Sequence, residues 1–415
     1  MSMLFIHHVI GDLTVGKPDL MELYDSDTLE VAAHVIAASP EASTVVLRRS
    51  PESGVMARDD RFVGLINPLE ILGFLARNCP DGDHLQRENL MKVATVKQVV
   101  VPDQGSLKEI DPGTRLIDAL EMMKQGVKRL IVRKSGSWRG FSKRFSVIYN
   151  GKWLKNNATS SNATTPTSTS STPRSLATTS EDKFCSLSRE DIVRFLIGCL
   201  GALAPIPLTS ISSLGAISTN FAFVEGSSPA LEAVTKMPLD PCAVAVVEMA
   251  PDGTQKIIGD ISAYKLWKCD YSSAAWALAN LSAAQFVIGS DENGSGEITV
   301  PVPDITPSVD DGTPSVVPGV SPKKRFSSRS IGFFNNRVDG INIGAASLTR
   351  GRSMYRGRSA PLTCKHDSSL AAVMAQVLSH RATHVWVTDG DTLVGIVGYV
   401  EIIDAVTKRA APSTS

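Results

Sequence analysis

Apolar residues recur along the chain in a four-fold pattern. Four segments place them at the i, i+3, i+4, i+7 spacing of a helix with one buried face: TLEVAAHVIAAS from Thr28, TRLIDALEMMKQG from Thr114, SPALEAVTKM from Ser228 and SSLAAVMAQVLSH from Ser368. Each opens near Ser, Thr, Asp or Pro, which suit the unpaired amides of a helix N-terminus. A run rich in β-branched residues follows each: TVVLRR from Thr44, RLIVRK from Arg129, AVAVVEM from Ala243 and THVWVTD from Thr383. These predict strands. A second strand and a second helix close each unit, in FVGLINPLEILGFL from Phe62, FCSLSREDIVRFLI from Phe184, IIGDISAYKLWKC from Ile257 and LVGIVGYVEIIDAV from Leu393. One helix–strand–strand–helix unit therefore recurs four times, and units of this kind bury their apolar faces on one another. The expected class is α/β (α+β).

Two segments interrupt the pattern. The second repeat carries an insertion at 135–183, whose 156–180 part is mostly Ser, Thr and Asn and is expected to be disordered. The insertion begins SWRGFSKRFSVIYNGKWLK, aromatics interleaved with cations, a composition that can grip single-stranded nucleic acid. The same residues read as a hairpin turning at Asn150-Gly151, and that reading is preferred. The second interruption, 289–358, is rich in Pro, Ser and Gly and runs from acidic to basic, as a disordered linker does. The predicted repeats are 13–77, 92–202, 205–288 and 359–410.

Charge and cysteine content narrow the function. Forty-two basic residues balance forty-two acidic ones, so no global field draws the chain to nucleic acid or to a membrane. The six cysteines include no C-x-x-C pair, and no His cluster accompanies them. Zinc binding and redox catalysis lack their spacing, and reduced buried thiols in a reducing compartment are expected. Phe195 to Leu208 is too short to span a bilayer and is broken by Pro205 and Pro207; it reads as a buried helix running into a turn. The N-terminus has no basic region before its apolar residues and is not read as a signal peptide. Sequons at Asn157, Asn162 and Asn280 are then expected to stay unmodified. The expected location is cytoplasmic, with the nucleus left open.

The repeated order resembles the cystathionine β-synthase (CBS) domain, a sensor repeat that pairs into Bateman modules. Four copies in one chain resemble the γ regulatory subunits of AMP-activated kinase and the plant CBS-domain-containing proteins. IDPGTRLIDALEMMKQGVKRL from Ile110, KLWKCDYSSAAWALANL from Lys265 and RSMYRGRSAPLTCK from Arg352 resemble the plant group most. The resemblance implies two Bateman modules, a non-catalytic regulatory role, and AMP, ADP or ATP as a regulatory ligand in an inter-repeat cleft. It also implies a protein partner, either a kinase subunit or a metabolic enzyme, and a homodimer is an open arrangement.

The family's adenosine phrase is G-h-h-[S/T]-x-x-D. Its acid takes the ribose hydroxyls, and nearby backbone N–H groups meet phosphate. Matched by position, repeat one offers Gly64, Asn67 and Glu70. Repeat two offers Cys185, Ser188 and Asp191, the one copy with both hydroxyl and Asp. Repeat three offers Gly259 and Ser262 but has Lys265 in the acid's place. Repeat four offers Gly395, Gly398 and Glu401. Arg129 and His384 stand where the family places a phosphate-facing residue. The competing reading is structural, because an acid in the first turn of a helix stabilises the helix by itself. The alternative function is accordingly an interaction scaffold with degenerate sites.

Other motifs add less. GDLTVGKP from Gly11 misses the phosphate-loop pattern because Pro18 stands where a hydroxyl would hold magnesium; it reads as a turn into repeat one. His7 and His8 lie in an apolar, strand-like run without a carboxylate partner. No nucleophile–base set appears, so catalysis is not expected, nor is any metal. In the basic tract, Ser328, Ser353 and Ser359 each follow an Arg by three residues. Arg356, Ser359 and Pro361 match a 14-3-3 docking peptide as well as a basophilic kinase site, with a solvated basic linker as the plain alternative.

Overall fold

The computed structural model describes residues 3–48, 61–102, 105–134, 148–149, 152–153, 183–288 and 360–408. Ser328, Ser353, Ser359, segment 156–180 and the whole 289–358 tract lie outside them.

The four predicted first helices are Leu29–Ala38, Leu116–Lys124, Ala230–Thr235 and Leu370–His380. Thr28 and Ser369 cap two of them, their side chains accepting from Val31 N and Ala372 N. The strands that follow, Thr44–Leu47, Arg129–Arg133, Ala243–Met249 and His384–Asp389, pair antiparallel with Phe62–Ile66, Phe184–Ser188, Gln255–Ser262 and Thr392–Gly398. One element was not read in the sequence. Repeats two, three and four each open with a short strand, Leu107–Ile110, Phe223–Glu225 and Thr363–Lys365, parallel to the strand after the helix. In repeat one it shrinks to a single bridge, Tyr24 to Leu47. Three or four residues are too few to show a period of two. A further ladder contact, Lys256 to Thr392, joins repeats three and four into one six-stranded sheet. In the insertion, Ile148–Tyr149 pairs antiparallel with Lys152–Trp153, as the expected hairpin requires; Asn150 and Gly151 lie outside the described residues.

The repeats bury their faces in two ways. Strand faces meet within pairs: Val45 packs with Leu107, Ile131 and Phe184 between repeats one and two. Ala245 and Val247 pack with Trp386 and Ile396 between three and four. Helical faces cross the pairs. One core joins Leu29, Leu72 and Leu75 of repeat one to Ala274, Leu278 and Phe286 of repeat three. The other joins Leu120, Ile192 and Leu196 of repeat two to Leu370, Val377 and Ile402 of repeat four. Each repeat thus touches one neighbour through its sheet and another through its helices, and all four belong to one compact unit.

Three local readings are corrected. The His7–His8 run is not strand-like: Met3–His7 and Ile10–Thr14 are short helices. They bury Phe5, Ile10 and Leu13 in the core of repeats two and four. Tertiary contact explains the change, since Ile10 N donates to Thr114 O at 2.9 Å and Leu116 N to His8 O at 2.8 Å. His8 does have an acid nearby, its Nδ1 lying 3.4 Å from Asp12 Oδ2. Finally, the second helix of repeat three does not begin inside IIGDISAYKLWKC. Residues 263–269 form a turn, and the helix is Tyr271–Asn280, capped by Asp270.

Candidate functional site

Each family-matched acid that begins a helix sits at its third position and accepts from the backbone N–H of the residue before the helix. Asn67 Oδ1 accepts from Leu69 N at 2.9 Å, and Glu70 Oε2 accepts from Asn67 N at 2.8 Å. Glu401 Oε2 accepts from Gly398 N at 2.9 Å. Asp191 Oδ2 accepts from both Ser188 N at 2.8 Å and Ser188 Oγ at 2.9 Å. At Asn67 and Ser188 the pairing is reciprocal, a capping box that satisfies amides a helix start leaves open; at Gly398 only the acid's half is present. The preceding glycine also has a packing reason. A Cβ on Gly259 would meet Val287 Cγ2 at 2.6 Å, and one on Gly395 would collide with Ile217.

The first pair holds its charge cluster around Asp191. Arg129 opens its strand directly opposite Ser188 in the ladder, so Arg129, Ser188 and Asp191 lie in one neighbourhood. They are already occupied from within the chain. Lys17 Nζ forms an ion pair with Asp191 and donates to Ser186 O at 2.6 Å. Arg129 pairs with Glu41 of repeat one at 2.6 Å and donates to Ser43 Oγ at 2.9 Å. Arg194 pairs with Glu190. The cleft among Lys17, Glu41, Asp191, Arg194 and Arg381 has a cavity volume of about 20 Å³. That holds a single water molecule. Burial pushes the Asp191 carboxyl up, but Lys17 and the Ser188 amide outweigh it and keep it below the usual range. Glu190 next to it is pushed up to about 7, first by burial and then by Glu41.

The second pair repeats the device with other residues. Asp260, in the second strand of repeat three, is fully buried. Its Oδ2 accepts from Ser262 Oγ at 2.8 Å, and its Oδ1 lies 2.7 Å from Lys265 Nζ, an ion pair off hydrogen-bond alignment. His384 of repeat four brings Nε2 to 3.7 Å from Asp260 Oδ2, and its ring meets Trp386 edge-on at 5.1 Å. Its Nδ1 sits 3.1 Å from Thr383 Oγ1. Burial raises the Asp260 carboxyl, while His384 and Lys265 more than reverse it. Lys265 therefore stands where the family acid would stand, facing an acid that comes from the strand.

The remaining acids lie apart from these clusters. Glu70 is pushed up to about 7 by burial, against the pull of the Asn67 amide and Lys128. Glu401 is also raised by burial. A Cβ on Gly398 would touch Pro241 of repeat three at 3.9 Å. The neighbouring Asp240 is paired with Arg189 of repeat two.

Sequence reasoning missed Lys17, Glu41, Asp260, Lys265 as a partner, and Arg381. One signal was available: a lone Asp inside the apolar strand IIGDIS, five residues before a Lys out of place, is a charge that needs burial with its partner. Lys17 offered no such signal, because its partner is 174 residues away. Among the described residues no group of three or more His, Cys, Asp or Glu could hold a metal. None of their helices is long and apolar enough to cross a membrane. All six cysteines are free thiols; Cys185 and Cys199 are buried and four are partly exposed.

Comparison with known proteins places the fold. The CBS domain family model matches residues 357–408, the fourth repeat. Over 99% of this chain and 95% of the relative, the sequence is 53% identical to CBS domain-containing protein CBSX6 of Arabidopsis thaliana. It is 26% identical to CBSX5 of the same plant over 98% of each chain. Among solved structures, a Methanocaldococcus jannaschii protein described as a candidate archaeal homolog of g-AMPK aligns over 95% of this chain and 99% of its own, at 9% identity and a TM-score of 0.49. On the near full-length match at 53% identity, the chain belongs to the CBS domain-containing proteins.

Proposed function

We propose that this chain is a non-catalytic regulatory protein that presents a fixed four-repeat surface to a protein partner, with both inter-repeat clusters closed by its own lysines. One observation carries the reading. The copy of the adenosine phrase that keeps both its hydroxyl and its Asp, Ser188 and Asp191, has its carboxylate taken by Lys17 in a cleft of about 20 Å³. In the other pair, Lys265 and Asp260 neutralise each other. An adenine nucleotide would have to displace a buried ion pair before gaining its own contacts, and breaking such a pair costs about 3–5 kcal/mol. The partner is a protein kinase subunit or a metabolic enzyme, by the family's habit. A 14-3-3-type reader of phosphorylated Ser359 and homodimerisation are further candidate interactions.

A second reading keeps AMP, ADP or ATP as ligand. It is favoured by the convergence of Arg129, Ser188 and Asp191 in one ladder register. Asn67 with Glu70, and His384 with Glu401, would be its other contacts. It requires Lys17 to leave Asp191 when ligand enters. Affinity capture of partners with the full chain, run with and without nucleotide, separates the two. The first reading expects the same partner in the same yield under both conditions. Retention that depends on nucleotide would overturn it.

A further inference from the structure

A cavity lies away from both charge clusters, between the helices of repeats one and three. It has a volume of about 370 Å³, within the range of small-molecule sites. Leu29–Ala38 and His84–Val93 line it together with residues 268–272. Its apolar lining includes Ala33, Ala37 and Met91, two of them small enough to leave the space open.

Its charges divide into two kinds. Glu88 and Asp270 are each within 3.5 Å of His84 and so are accounted for. Glu30, Lys92 and Lys268 also line the cavity, yet none of them has an ion-pair partner among the described residues. Lys268 lies over the Trp267 ring at 4.9 Å. The Tyr271 side chain also lines the cavity, while its hydroxyl has no accessible surface and is closed off from the space.

We propose that this cavity binds a small zwitterion with an apolar body, of the class of free amino acids with a large apolar side chain. The carboxylate goes to Lys92 and Lys268. The ammonium goes to Glu30, and the side chain lies against Ala33, Ala37 and Met91. A ligand here bridges repeats one and three through their helices, independently of either lysine-closed cluster.

The test is calorimetry on the full chain with three probes of one skeleton: L-phenylalanine, 3-phenylpropionate and phenethylamine. Saturable binding is expected for phenylalanine, weakened about tenfold or more in each probe that lacks one charge. Glu30→Gln and Lys268→Gln change solvent-accessible side chains, so both variants should keep the wild-type melting curve. Each should weaken phenylalanine about tenfold. The proposal is overturned by no saturable heat from phenylalanine up to about 10 mM, by equal binding of either single-charge probe, or by binding that both variants leave unchanged.

Discussion

Asp260, Lys265 and His384 show how much one position can decide. A buried carboxylate and ammonium stabilise little as a pair, but losing one partner strands the other. Lys265→Met should therefore lower unfolding stability by about 3–5 kcal/mol, and Asp260→Asn added to it should restore more than half. Urea denaturation measures both; a single change within 1 kcal/mol of wild type would contradict the burial (~1 kcal/mol is the surface range). Glu70 behaves in the opposite sense from the paired acids. Its folded pKa is raised to about 7 from an ordinary 4.5, so the fold binds its proton more tightly than the unfolded chain does. The resulting stabilisation is fully present below pH 4.5 and is lost as pH rises through about 7. Glu70→Gln keeps an acceptor for the Asn67 amide and removes the titration. Melting temperatures between those two pH values should fall less steeply in the variant; identical slopes would count against a buried, protonated Glu70. Asp191 and Asp260, both lowered, add stability at neutral pH that is lost in acid, when they protonate.

At the scale of elements, the same residues serve as helix starts. Ser188 caps Arg189–Gly198 and holds Asp191 in its box, so Ser188→Ala should cost about 1–2 kcal/mol with or without any ligand. Thermal denaturation of the unliganded protein reads this directly; an unchanged melt would leave Ser188 free for another role. The two N-terminal helices, Met3–His7 and Ile10–Thr14, are held by burial instead. Phe5, fully buried against repeats two and four, should cost about 3–5 kcal/mol as Phe5→Ala. Much of this was legible in the sequence. The periodicity that gave Leu29–Ala38 and Leu370–His380 is local, and so are the caps Thr28, Asn67 and Ser188. The opening strands were not legible, because Thr363–Lys365 is defined by its parallel partner rather than by its own pattern. The two N-terminal helices were hidden for the same reason: five residues do not hold a helix without the core they enter. Lys265 was read as a lost acid because the turn at 263–269, which aims it at Asp260, replaced an expected helix.

Across the whole molecule, strand faces join repeats one with two and three with four, while helices join one with three and two with four. Any change in one repeat is therefore felt by two neighbours. Trp267 lies at such a crossing. Its Nε1 donates to Ile36 O of repeat one at 2.7 Å, and Arg381 of repeat four stacks over its ring at 5.7 Å. Arg381 also lines the Asp191 cleft. This closed ring, with a lysine filling each cluster, is what a fixed interaction surface needs and what a ligand-gated one must undo. The direct measurement is isothermal titration of AMP, ADP and ATP into the full-length protein, with Asp191→Ala in parallel. The account predicts no saturable heat from any of the three up to about 1 mM. Saturable binding in the wild-type chain that disappears in Asp191→Ala would contradict it.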